Sequence, residues 1–215
     1  MTETISRLLA GGAGGAAAIR GTNERPALTF GALRALCART VATLNRLGIG
    51  RGDRVAIVLP NGPEMAAAFL AIGAGAATAP LNPAYRAEEF TFYLTDLDAR
   101  ALVILHGMAS EAREVAARLA IPVLDLVPGE AAGDFTLEGC AAGNAAKPGL
   151  AWPEDAALVL HTSGTTARPK IVPLTQANIC ASARSIARTL ELGPDDACLN
   201  IMPLFHIHGL MAAVL

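Results

Sequence analysis

RGDRVAIVLPNGPEMAAAFLAIGAGAATAPL, residues 51–81, decides the fold. It opens with an apolar, β-branched run at 54–59, turns at Pro60-Asn61-Gly62, and continues as a helix-prone stretch over about 63–75 before a second strand at 77–81. The apolar part of this stretch, 65–81, is short for a membrane span, rich in Ala and Gly, and closed by a proline, so it reads as buried helix followed by strand. Strand, helix and strand in about thirty residues form a βαβ unit, whose strands must run parallel with the helix on one face of the sheet.

Working outward, the alternation continues. Upstream, Leu33, Leu36, Cys37, Val41, Leu44 and Leu47 recur at helical spacing and stop at Gly48. Downstream, the pattern predicts a helix at 86–96, a strand at 101–105, a helix at 110–119 and a strand at 122–127. The Gly, Ala and Pro-rich text at about 128–153 reads as a connection with a short helix or turn. Beyond it, 157–161 is a buried strand and 171–175 is extended, and Thr175 can cap a helix carrying Ile179, Ala183, Ile186 and Leu190. CLNIM (198–202) is expected as the next strand and PLFHIHG (203–209) as the turn after it.

The fold class is therefore α/β, with parallel-rich sheets flanked by helices. The expected organisation is a first α/β subdomain over 1–130, a connecting segment over 131–153 and the start of a second subdomain over 154–215. GLMAAVL at the end reads as a helix without a stop signal, so the chain is expected to be the first part of a longer protein. Apolar surface left bare by such a truncation would invite dimerisation.

Composition narrows the partners. Hydrophobic residues make up 53% of the 215 residues but aromatics only 4%, so Ala, Leu, Val and Ile must build the core. Seventeen Lys and Arg against nineteen Asp and Glu give a net charge of −2, with no basic block for nucleic acid or an anionic membrane. Cys37, Cys140, Cys180 and Cys198 form no CxxC pair, which fits free thiols in a reducing compartment. With no secretory signal at the N-terminus, the expected location is the cytoplasm.

The chemistry lies in LHTSGTTARPKIVPLT, residues 160–175. Thr162, Ser163, Thr165 and Thr166 with Gly164, Arg168 and Lys170 offer more polar capacity than a turn requires. Hydroxyls and backbone N–H groups leaving a buried strand can converge on an oxyanion cluster, and phosphate is the natural guest. The spacing does not match GxxxxGK[ST]. The other reading of the same residues is a surface turn with Arg168 and Lys170 as solvated charges.

TSGTT followed by PK and V resembles the signature of adenylate-forming enzymes, a superfamily of acyl-CoA synthetases, peptide-synthetase adenylation domains and luciferases. The stretch from Leu28 through Val103 resembles the opening of that family, and MPLFHIHGL its next motif, so the likeness spans roughly residues 28–215. It implies ATP, Mg²⁺ and CoA, and a small carboxylic acid joined to ATP as an acyl-adenylate before transfer to the CoA thiol. Thr162, Ser163, Gly164, Thr165, Thr166 and Lys170 would surround the phosphates, with Thr165 on the metal side and Lys170 as a catalytic cation. His206 would act at the reacting acid, and His206 and His208 would hold the acid. The string HTSGTTARPKIVPLTQANI is similar to oxalyl-CoA synthetases of plants and fungi, which implies oxalate as the acid.

Two positions depart from the usual form, Ala167 and Ile171, each where glycine is common, and a stiffer loop with weaker nucleotide affinity would follow. The later family motifs are absent, so this chain alone is not expected to turn over. A nucleotide-binding module without catalysis, or a peptide-synthetase adenylation domain, are the alternative readings.

Overall fold

The computed structural model describes residues 3–21, 24–140, 143–162 and 169–215. In chain order the elements are α1 (Ile5–Ala10), β1 (Ala17–Ile19), β2 (Leu28–Thr29), α2 (Phe30–Arg46), β3 (Arg54–Val58), α3 (Pro63–Gly73), β4 (Ala77–Pro80) and α4 (Ala87–Asp96). There follow β5 (Ala101–Leu105), α5 (Glu111–Arg118), β6 (Val123–Pro128), β7 (Phe135–Glu138), β8 (Ala156–Thr162), β9 (Lys170–Thr175), α6 (Gln176–Thr189) and α7 (Ile207–Ala213). Seven strands make one sheet in the order β7-β6-β5-β3-β4-β8-β9, mixed in direction but mainly parallel. Within this sheet, among the described residues, only the outermost strands β7 and β9 pair antiparallel with their neighbours.

Alternation along each central strand explains why both faces need cover. In β3, Val55 and Ile57 join a core formed with α2 and α3, whereas Ala56 and Val58 join a second core formed with α4 and α5. In β5, Ala101 and Val103 go one way and Leu102 and Ile104 the other. Strands buried on both sides read as continuous apolar runs, as these do. Each large apolar side chain taken fully from water contributes about 1.5–3 kcal/mol, and Phe69, Phe90, Leu36 and Ile72 are all fully buried.

Helix starts follow their capping residues. Thr29 Oγ1 accepts from Ala32 N at 3.2 Å at the head of α2, and Ser110 Oγ from Ala112 N at 3.2 Å at the head of α5. Thr175 Oγ1 accepts from Asn178 N while Asn178 Oδ1 accepts from Thr175 N, a reciprocal cap for α6.

Three expectations need correction. The stretch 128–153 contains β7, paired antiparallel with β6, because its alternating Phe135 and Leu137 find an open sheet edge there. CLNIM is not a strand: Leu199 is 85% and Ile201 80% exposed, and among the described residues no neighbouring strand offers the segment a ladder. The last three residues of the expected turn at 203–209 are helical, since α7 begins at Ile207 and takes in His208 and Gly209. Among the described residues no helix is long and apolar enough to cross a membrane.

Candidate active site

β3, β4, β5, β6 and β8 run parallel, so their carboxyl ends share one edge of the sheet. In open α/β sheets that edge is where ligands bind. β8 and β9 form a hairpin whose last pair is Thr162 with Lys170. Thr162 Oγ1 comes within 3.5 Å of the Lys170 carbonyl oxygen, and both residues are exposed. The hairpin thus sets a hydroxyl and a primary ammonium on the two sides of one loop neck. Ser163, Gly164, Thr165 and Thr166 lie outside the described residues, as do Ala167 and Arg168.

Ile171 pairs with His161 and packs half-buried against the second core. A β-branched residue suits that strand position, so the substitution falls on the hairpin stem.

The two histidines separate. His206 occupies the N-cap position of α7, exposed, with its ring centroid 4.5 Å from that of Phe205. His208 lines a cleft of about 360 Å³ with Leu174, Asn178, Ile179, Ser182, Ile207 and Met211. That cleft starts four residues along β9 from Lys170, about 13 Å at the rise of a strand.

Residues not singled out in the sequence hold these segments in place. Asn61, in the turn after β3, accepts from Leu204 N at 2.8 Å and donates to the Met202 carbonyl at 3.3 Å. Asn200 donates to the Gly209 carbonyl at 3.3 Å and accepts from Met202 N at 2.9 Å. Gly209 is required by contact: a Cβ there would lie 2.6 Å from the Pro203 carbonyl oxygen. Gln176, fully buried, accepts from Ile5 N at 3.0 Å and donates to the Gly73 carbonyl at 2.6 Å. The glutamine of VPLTQ is therefore a structural pin between α1, α3 and α6. The signals for these residues span up to 171 positions and leave no local pattern.

Beside the hairpin, His161 Nε2 lies 3.0 Å from Asp96 Oδ2, with the histidine side chain only 7% exposed. Its ring meets Tyr93 edge-on at 4.7 Å, and Tyr93 stacks on Tyr85 at 4.9 Å. Burial, reinforced by Tyr93, pushes the Tyr85 hydroxyl well above its ordinary value, so it stays a neutral donor. Among the described residues no cluster of three His, Cys, Asp or Glu could hold a metal ion.

The chain is similar to known proteins along most of its length. The chain is 41% identical over 193 residues to an oxalate–CoA ligase of Arabidopsis thaliana, covering 87% of this chain and 38% of that one. It is 38% identical over 192 residues to an oxalate–CoA ligase of Saccharomyces cerevisiae, covering 77% of this chain and 35% of that one. The chain thus spans under two fifths of the length of these relatives. The solved structure of O-succinylbenzoate coenzyme A synthetase from Bacillus subtilis, in complex with AMP, superposes with a TM-score of 0.74 at 27% identity. The match takes in 98% of this chain and 52% of that one. The AMP-binding enzyme family matches residues 10–215, and the chain belongs to that family.

Proposed function

We propose that this chain is part of an ATP-dependent acid–CoA ligase, and that the acid is oxalate or a similarly short, polar carboxylate. The observation that carries the reading is the β8–β9 hairpin, which sets Thr162 and Lys170 at the neck of the TSGTT loop on the carboxyl edge of a parallel sheet. The reaction requires charge on the β and γ phosphates to be offset while a carboxylate oxygen attacks the α phosphorus and pyrophosphate leaves. Lys170 supplies a cation and Thr162 a hydroxyl; Ser163, Gly164, Thr165 and Thr166 are assigned the remaining phosphate contacts. Mg²⁺ supplies further charge neutralisation when bound, with Thr165 as the hydroxyl on its side. The acyl group then passes to the CoA thiol with release of AMP.

The choice of oxalate is supported by the identities to two oxalate–CoA ligases. His208 is assigned to hold the acid because it lines a cleft, and His206 is assigned to the segment leading into it. The cleft's walls also include Leu174, Ile179 and Met211, which suit an apolar acid equally well, so similarity carries the substrate. Leu190, Leu192, Leu199 and Ile201 are exposed apolar side chains, and a dimer in this chain alone is proposed to cover such surface.

ATP–pyrophosphate exchange on the natural-length protein with Mg²⁺ tests the reading, offering oxalate beside acetate, a medium-chain fatty acid, an aromatic acid and amino acids. Oxalate-dependent exchange supports both reaction and substrate, and exchange with another acid keeps the reaction and discards oxalate. ATP binding without exchange for any acid would refute the ligase in favour of a nucleotide-binding module. Unchanged oxalate use in His206→Ala and His208→Ala would remove their role.

A further inference from the structure

The geometry points to His161 and Asp96 as a positioning pair that fixes the neck of the phosphate loop; the inference rests on the proposed role of that loop. The hairpin bearing the loop is joined to the rest of the sheet by little ladder: β8 meets β4 through Thr78 and Leu158. A buried bond from Thr78 Oγ1 to the Ala157 carbonyl, 2.8 Å, strengthens the same point. Both attachments lie at the start of β8, while Thr162 and Lys170 lie at its far end. At the far end Ile171 packs against the second core, and a polar anchor beside it would add a fixed orientation.

His161 is that anchor. It immediately precedes Thr162 and pairs with Ile171, which immediately follows Lys170, so its pair is the one next to the neck. A carboxylate oxygen only accepts, so Nε2–H of His161 donates to Asp96 Oδ2, and this fixes the ring in one orientation. Asp96 ends α4, whose Phe90 and Leu94 are fully buried in the second core. Tyr93, one turn before Asp96, closes on the ring from the side. The histidine side chain is only 7% exposed, while that of Asp96 reaches solvent at 41%. Thr162 and Lys170 are thereby held at a set distance from a rigid helix, before any nucleotide arrives.

Hydrogen exchange by NMR on this chain and exchange kinetics on the natural-length protein test the pair together. Asp96→Ala should speed amide exchange at Thr162, Lys170 and Ile171 about tenfold, the loss of one charge-assisted bond, while the amides of β5 stay unchanged. His161→Gln, with Asp96 present and an amide nitrogen that can occupy the Nε2 position, should keep these rates within about threefold of wild type. The imidazole Nε2–H resonance of His161 should be visible in wild type and lost in Asp96→Ala. In ATP–pyrophosphate exchange, Asp96→Ala should raise KM for ATP about tenfold with kcat within about twofold, and His161→Gln should leave KM near the wild-type value. In Asp96→Ala, unaltered neck amides or an equal rise across β5, or in His161→Gln a loss as large as in Asp96→Ala, would overturn the inference. If wild type fails to exchange ATP with pyrophosphate, the ligase reading falls, while the amide rates still decide whether the pair holds the neck.

Discussion

Replacing Gln176 by leucine should destabilise the fold by about 2–5 kcal/mol. The side chain is fully buried and its two bonds end on backbone groups that are buried as well, the Ile5 N–H and the Gly73 carbonyl. The Ile5 N–H is one of the orphan donors at the head of α1, so no helical partner can take over. Leaving a buried polar group unpaired costs about 1–3 kcal/mol, and two are lost; leucine, of similar volume, recovers part by apolar burial. Against a domain stability of about 5–15 kcal/mol this is a large fraction. Urea unfolding should show a lower midpoint with an unchanged slope. Gln176→Glu sharpens the test, because a carboxylate oxygen would face the Gly73 carbonyl: it should be less stable than the leucine variant at neutral pH and recover in acid, where a protonated oxygen can donate. A loss below about 0.5 kcal/mol for Gln176→Leu would refute the pin.

Gly209→Ala should displace the 203–209 segment, since its Cβ would meet the Pro203 carbonyl oxygen at 2.6 Å; a drop of about 1–3 kcal/mol in unfolding free energy checks this. Asn61→Ala removes both bonds to the same segment and should speed exchange of the Leu204 amide severalfold, measurable by NMR, with little change in β3. Burial pushes the Cys37 thiol from 9.0 up to about 12 and the Cys180 thiol up to about 11. Folding then favours the protonated thiol, so this stability is complete below pH 9.0 and fades as pH rises through those values, by up to about 1.4 kcal/mol per pH unit for each thiol. Urea titrations of wild type and Cys37→Ala between pH 8 and 11 should differ in slope accordingly, and equal slopes would refute it. The exposed Cys140 and Cys198 should react with a thiol reagent in the folded state, and Cys37 and Cys180 only on unfolding.

The alternation of strand and helix from 30 to 128 was legible because each element carries its own periodicity, as Leu33, Leu36, Leu44 show in α2 and Val55 to Val58 in β3. β7 was hidden by its length of four residues and its Gly-rich flanks, and its existence depends on a free edge at β6. CLNIM misled for the opposite reason: an apolar run makes a strand only where a ladder is on offer. Thr162, Lys170, His206 and His208 were proposed for the site from motif wording alone. Asn61, Gln176 and the His161–Asp96 pair were not, because a polar side chain's partner is set by the tertiary fold. The hydrogen bond joining His161 to Asp96 crosses 65 residues.

The central claim is that a carboxylate attacks the α phosphorus of ATP. Incubating the natural-length protein with oxygen-18-labelled oxalate, ATP, Mg²⁺ and CoA, and weighing the nucleotide product, tests it most directly. Attack by the carboxylate followed by thiolysis leaves a carboxylate-derived oxygen on AMP, so labelled AMP is expected. Unlabelled AMP, or ADP with the label in inorganic phosphate, would contradict the account.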